Sequence, residues 1–431
     1  MSVILRTITF NHDPLSARRD ALNVRRNQTQ FVSVPEWVFG LTVRPEQSVA
    51  AYAINEIGSN TITIQATFAR TDPSIQSVEV RAVHPQQTRL PLGFLNSLIS
   101  PLSSEVDRAT QLGFLSLLWL LHESGEENVL GDVRPKTVRF GPNGQSAVET
   151  FELTNPRLAI TGIDVKNISW LWQYRLGPAD NWKDIVLSQH RIYSILNVPS
   201  LPWIQFPYEP ANTQLPWVEV LDQACVWARS TTTMTTASTR LTQTLFDLGG
   251  EVVTYDCITS GASHYTLGSP FELSFFECTA FLDLLRGGFG NGPYINCVDC
   301  ATIVSTFANS VGCNLSQVGI FSDFGIGVLW PLNPILAIGS TRWETGACGS
   351  LGFVFHSVAI TGAGTTSDNV FDACLLVNGN AIPSLPPLIP LLPANERFGL
   401  VNEGYRRRLA ALAGQANCEV QPITLKRRAV I

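Results

Sequence analysis

Two cysteines three residues apart, Cys297 and Cys300 in "NCVDCATIVSTFANSVGC" (296–313), have types and spacing suited to chemistry. Such a pair serves as half of a zinc site, as a redox couple, or as a nucleophile beside a bystander. Zinc needs two further ligands in a compact pattern, whereas Cys313, Cys348 and Cys374 stand singly and no second Cys-x-x-Cys or His pair occurs. A thioredoxin-like couple belongs near a βαβ pattern. Helical spacing separates the roles of the two sulfurs. Cys300, Ala301, Val304, Phe307, Ala308 and Val311 form one apolar stripe, which Gly312 ends and Asn296 can cap at the other end. Cys297 then lies in the first turn, where unpaired N–H groups and the helix dipole favour a thiolate. Cys300 falls on the buried stripe, where it packs.

A thiolate nucleophile needs a base. His12, His84, His122 and His190 precede residue 200; His264 and His356 follow it. His356 sits in "LGFVFHSVAI", an apolar run that reads as a buried strand, and after the turn-rich "TGAGTTSDN" comes a second apolar run, "VFDACLLV". Folded as a hairpin with its tip near Gly364, this segment opposes residues whose numbers sum to 728, which sets His356 against Asp372. Directly opposed Cβ atoms lie roughly 4.5–5.5 Å apart, within reach of a side-chain hydrogen bond. An aspartate inside an apolar strand needs a partner, and a histidine supplies one. Spacing alone thus yields a nucleophile, a base and an orienting carboxylate. A satisfied core histidine opposite a structural aspartate is the competing reading.

The Cys-x-Asp-x-Ala motif of Cys297, Asp299 and Ala301, followed by His356 on a strand and Asp372 on the next, resembles the transglutaminase-like superfamily. The resemblance covers about residues 250–378. It implies a papain-like fold and acyl chemistry: a thioester forms on Cys297, His356 shuttles the proton, and Asp372 fixes the imidazole. It also implies an oxyanion site built from the Cys297 N–H and an upstream aromatic or amide group, for which Tyr265 in "GASHYTLG" is the candidate by motif order. The sequence departs from the family in having Val358 where members carry an aromatic residue after the histidine. The expected activity is proteolysis or amide hydrolysis on a protein or peptide; amine transfer uses the same intermediate. The alternative is a catalytically inactive scaffold or binding module of the same fold.

The rest of the chain must position these residues. With 431 residues and 45% hydrophobic content there is material for more than one core. Charged residues make up 15%, and the net charge of −6 argues against a nucleic-acid partner. The short basic clusters Arg406–Arg408 and Lys426–Arg428 read as solvated surface. No secretory signal or run of membrane-spanning length is visible, so a cytoplasmic location is expected, with export by a signal-independent route left open. No cofactor or metal is implied.

All nine cysteines lie at or after Cys225, an odd count at irregular spacing that does not read as a disulfide framework. The cysteine-free part is rich in β-forming runs between turn residues, including "KTVRFGPNGQSAVETFEL" with its "GPNG" turn. The expected architecture is α+β. Residues 1–200 form an immunoglobulin-like β-sandwich with a helical insertion around 92–125, where Leu112, Leu115, Leu118, Trp119 and His122 share one face. A Pro- and Trp-rich bridge (198–217) leads into a catalytic α+β domain, 201–431. That domain carries a Pro-rich strap, 381–395, and a final helix around "EGYRRRLAALAG". Any protein partner is expected on the β-sandwich.

Overall fold

The structure is a computed structural model that describes residues 2–11, 21–55, 61–85, 130–158, 162–199, 204–205, 215–259, 261–268, 274–323, 325–380, 384–410, 418–420 and 424–431. It is a mixed α+β protein with many strands and few helices. The helical insertion expected around 92–125, and most of the 198–217 bridge, lie outside the described residues.

Two compact units emerge, one of Met1–Val24, Val32–Ile160 and Val165–Ser194, the other of Arg25–Phe31, Thr161–Asp164 and Ile195–Ile431. The division therefore differs from a single cut near residue 200. Backbone pairing draws the two early segments into the second unit: Val218 N donates to the Arg25 carbonyl at 2.7 Å, and Ile163 N to that of Thr231 at 2.9 Å.

In the first unit the strands follow one hydrogen-bonded order of nine, and those whose partners are described pair antiparallel. The order is joined between Val133–Arg139 and Glu149–Arg157 through the pair Val133 and Leu153, and an immunoglobulin-like sandwich is not confirmed. Alternating burial, as at Val78, Val80 and Ala82 in Ser77–Val83, marks a half-buried strand. The "GPNG" turn forms as expected: Gly144 N donates to the Gly141 carbonyl at 3.0 Å, and Gly144 takes a positive φ. Aromatic side chains fill the core, with Trp172 edge-on to Phe151 at 5.6 Å.

The second unit is built around the helix Cys297–Ser310 and a five-stranded antiparallel sheet. The sheet runs Ala394–Arg397, Asn369–Phe371, Phe355–Thr361, Leu315–Ser322, Cys418–Val420. The helix packs on the Phe355–Thr361 and Leu315–Ser322 strands. Its ends are fixed by local chemistry. Asn296 Oδ1 accepts from Val298 N and Asp299 N at the start. At the other end Gly312, at φ +87°, donates to the Asn309 carbonyl while Cys313 N donates to that of Ala308, a Schellman closure.

The helix is not one-sided as its apolar stripe suggests, because all fourteen residues are buried. Short hydroxyl side chains permit this by bonding back to the helix: Thr302 Oγ1 donates to the Val298 carbonyl at 2.6 Å and Ser305 Oγ to that of Ala301 at 2.8 Å. Asn309 exchanges two 2.8 Å bonds with the Leu315 backbone, tying the helix to the strand that follows it.

A disulfide joins Cys257 to Cys348, a single link in a set of cysteines whose odd count and irregular spacing do not read as a disulfide framework. Such links persist in oxidising surroundings. The other seven cysteines are free and buried. Within the Pro-rich strap Pro390–Leu391 pairs with Asn378 and Val377, and a short helix, Gly404–Leu409, follows. No described helix is long and apolar enough to cross a membrane.

Candidate active site

Cys297 occupies the first position of its helix, as the sequence implies, but it is not exposed: 5% of its surface is accessible, against 1% for Cys300. The two sulfurs nevertheless differ in surroundings. Cys300 lies against the thiol of Cys374, and burial pushes the ionisation of both thiols up. Cys297 lies beside the ring of His356.

His356 stands on the Phe355–Thr361 strand, fully buried, with its ring stacked on Phe353 at 5.2 Å. Its Nε2 pairs with Asp372 Oδ2 at 2.9 Å. Nδ1, the nitrogen Asp372 does not use, meets no partner within hydrogen-bond geometry, although Cys297 is close enough to act on the ring. Burial alone would depress the imidazole pKa. The Asp372 charge and hydrogen bond, with a smaller contribution from Cys297, outweigh it and raise the value from 6.5 to about 10.

The route by which Asp372 reaches His356 differs from the expected one. Ala359 opposes Phe371 and Ile360 opposes Val370, so opposed numbers sum to 730 and the extrapolated partner of His356 is Cys374. The loop is centred on Thr365 rather than Gly364, and within it the Asp368 carboxylate accepts from Thr365 N and Oγ1 in a local turn. A shift of two residues keeps the same side chains on the same face, and Asp372 meets His356 on a diagonal. Pairing with the histidine strand ends at Phe371; Asp372 N instead donates to the Pro393 carbonyl at 2.7 Å.

Asp372 is held from three directions. Besides His356, it accepts from Cys374 N on Oδ1 and from the Tyr405 hydroxyl on Oδ2, both at 2.8 Å. Tyr405 was not singled out from the sequence. Its only signal was a polar aromatic residue at the head of the final helix, in "EGYRRRL".

Asp299, the second residue of the Cys motif, is a clamp rather than a reacting group. Its carboxylate accepts from Asn296 N, His264 N and Tyr265 N at 3.2, 2.9 and 3.1 Å, joining the helix start to the 264–265 segment. Burial raises its pKa, partly offset by those bonds. The Asp256 carboxylate accepts from Ile258 N, Thr259 N and Ala262 N.

Tyr265 does not fit the oxyanion role suggested by motif order. It is fully buried, and its hydroxyl donates to the Gly292 carbonyl at 2.6 Å while accepting from Asn291 N at 3.2 Å. A hydroxyl has one proton, and this one is committed to the 291–292 turn. Tyr255 is the tyrosine near the thiol. Burial first, and then the nearby sulfurs of Cys297, Cys374 and Cys300, push its phenol far above the ordinary range and keep it protonated. It stands in a two-residue strand, Thr254–Tyr255, parallel to Tyr294–Ile295, which runs directly into Asn296 and Cys297.

No family model and no curated protein matches this chain. Among solved structures, the chain is similar to a transglutaminase from red sea bream at a TM-score of 0.33 and 9% identity, over 75% of this chain and 49% of that one. The match thus spans about half the length of the fish enzyme.

Proposed function

We propose that this protein carries out cysteine-dependent acyl chemistry on a protein or peptide, with Cys297 as nucleophile, His356 as proton carrier and Asp372 as its orienter. The observation that carries the reading is the buried 2.9 Å His356–Asp372 pair beside a thiol at a helix N-terminus. A buried histidine–aspartate pair alone is ordinary core chemistry; a thiol against the same ring is not needed for packing.

In the first half-reaction the Cys297 sulfur forms a bond to a carbonyl carbon, and the carbonyl electrons move to oxygen. The tetrahedral oxyanion meets the backbone N–H of Cys297 and the Tyr255 hydroxyl, which takes the place proposed from sequence for Tyr265. Collapse breaks the carbon–nitrogen bond, and the leaving amine takes the imidazolium proton from His356. In the second half-reaction water, or a primary amine, gives its proton to His356 as it attacks the thioester, and the thiolate leaves. Hydrolysis is the preferred outcome. The first unit is assigned a binding or positioning role.

A catalytically silent scaffold is the second reading, favoured by the 5% exposure of Cys297. One experiment separates the two. Unfolded casein is incubated with the protein and a fluorescent primary amine, and new N-termini, released ammonia and incorporated amine are all followed. The proposal expects at least one signal, lost in Cys297→Ala. Silence in all three, or a signal that survives Cys297→Ala, favours the scaffold.

A further inference from the structure

A cavity of about 340 Å³, at the small end of ligand-binding pockets, is lined in part by Tyr294, on the short strand that runs into the Cys297 helix. Tyr255 and Tyr294 form an aromatic wall, and Ile335 and Ala337 an aliphatic one. The Cys257–Cys348 disulfide closes another side.

Two backbone routes connect these walls to the reacting groups. On one, Tyr294 and Ile295 pair with Thr254 and Tyr255, and the chain passes directly into Asn296 and Cys297. On the other, Ala337 opposes Leu375 and Ile338 N donates to the Cys374 carbonyl at 2.8 Å, two residues beyond Asp372. The routes are tied to each other where Tyr255 N donates to the Ile338 carbonyl at 2.9 Å. The cavity is therefore framed by the segments that carry the nucleophile and the orienting carboxylate.

Its charge is balanced. Arg342 and Glu344 are the charged lining residues, and they pair with one another at 2.8 Å. Glu344 also accepts from Gly349 N. A charged guest would lose hydration without gaining a free counter-ion, whereas an aromatic or branched aliphatic group gains apolar contact on two walls.

We propose that this cavity is an acyl-donor subsite that takes an uncharged aromatic or large aliphatic group adjoining the carbonyl attacked by Cys297. It names the substrate class of the proposed reaction and rests on Cys297 being the nucleophile.

The test compares iodoacetamide with its N-benzyl and N-(4-carboxybenzyl) derivatives on the full-length protein, reading Cys297 by peptide mass. In each case a sulfur–carbon bond forms and iodide leaves, so the three reagents differ only in the tail. The benzyl reagent is expected to saturate and to outpace iodoacetamide by about tenfold, with the carboxylate reagent losing that advantage. Ser340→Trp, which fills the cavity, should bring the benzyl-to-plain ratio toward one. If that variant does not fold, Ile258→Trp at a 70% exposed lining position is read instead. A ratio near one in the native protein, or a ratio that both variants leave unchanged, overturns the subsite. Absence of Cys297 labelling by every reagent overturns the nucleophile assignment itself, a distinct failure.

Discussion

Asp372 binds His356 from a diagonal position, not from the directly opposed one. The hairpin register is two residues away from a tight turn at Gly364, yet Nε2 and Oδ2 still meet at 2.9 Å. Strand pairing stops one residue before Asp372, which frees its carboxylate to be fixed instead by Tyr405 and by Cys374 N. The orientation of the imidazole thus depends on the final helix as well as on the hairpin.

Tyr405→Phe removes one hydrogen bond from a fully buried carboxylate while retaining the ring. It should cost about 1–3 kcal/mol of stability, since the bond is to a charged group. It should also slow Cys297 alkylation, because Asp372 loses one of the bonds that orient it. Urea unfolding and timed labelling measure the two effects. Full stability together with native labelling would mean that Tyr405 does not support the site.

The pH dependence of stability follows from the raised His356 pKa. The ring holds its proton more tightly folded than unfolded, so its contribution is complete below about pH 6.5 and is lost as pH rises through about 10. The unfolding free energy from denaturant curves should fall across that window by an amount on the order of a few kcal/mol, lowering the midpoint with it. His356→Gln should flatten this part of the curve while lowering stability throughout, because it leaves Asp372 buried without its cation. A native midpoint that rises across the window, or a slope shared by the variant, would contradict the pairing.

Much of the site was legible in the sequence because it rests on local rules. The Asn296 cap, the Gly312 terminus and the shared face of His356 and Asp372 each follow from spacing over a few residues. Long-range features were not legible. Burial of the whole Cys297 helix depends on strands that cover its polar side, and on hydroxyls that hide their own donors. The partner of Tyr265 is a turn 27 residues away, and nothing in "GASHYTLG" announces it. Disulfide connectivity could not be read from nine irregularly spaced cysteines, and Cys257 and Cys348 are 91 residues apart.

That disulfide closes a large loop, so its removal should release substantial chain entropy. Cys257→Ser with Cys348→Ser is expected to lower unfolding free energy by about 2–5 kcal/mol. Comparison of urea curves with and without a reductant should show the same loss in the native protein and none in the double variant. Equal stability of the native and variant proteins would show that the second unit does not depend on the link.

The central claim is that Cys297, and not Cys300, is the nucleophile, activated by His356. A brief pulse of iodoacetamide near pH 6.5, followed by peptide mass analysis of the seven free cysteines, tests it most directly. An unassisted thiol is only about 1% ionised two units below its ordinary value of about 8.5, so background labelling is slow under these conditions. The account predicts that Cys297 is labelled well ahead of Cys300, and that His356→Gln, confirmed as folded, slows Cys297 roughly tenfold to a hundredfold while leaving Cys300 unchanged. Equal labelling of the two cysteines, or a Cys297 rate indifferent to His356, would contradict it.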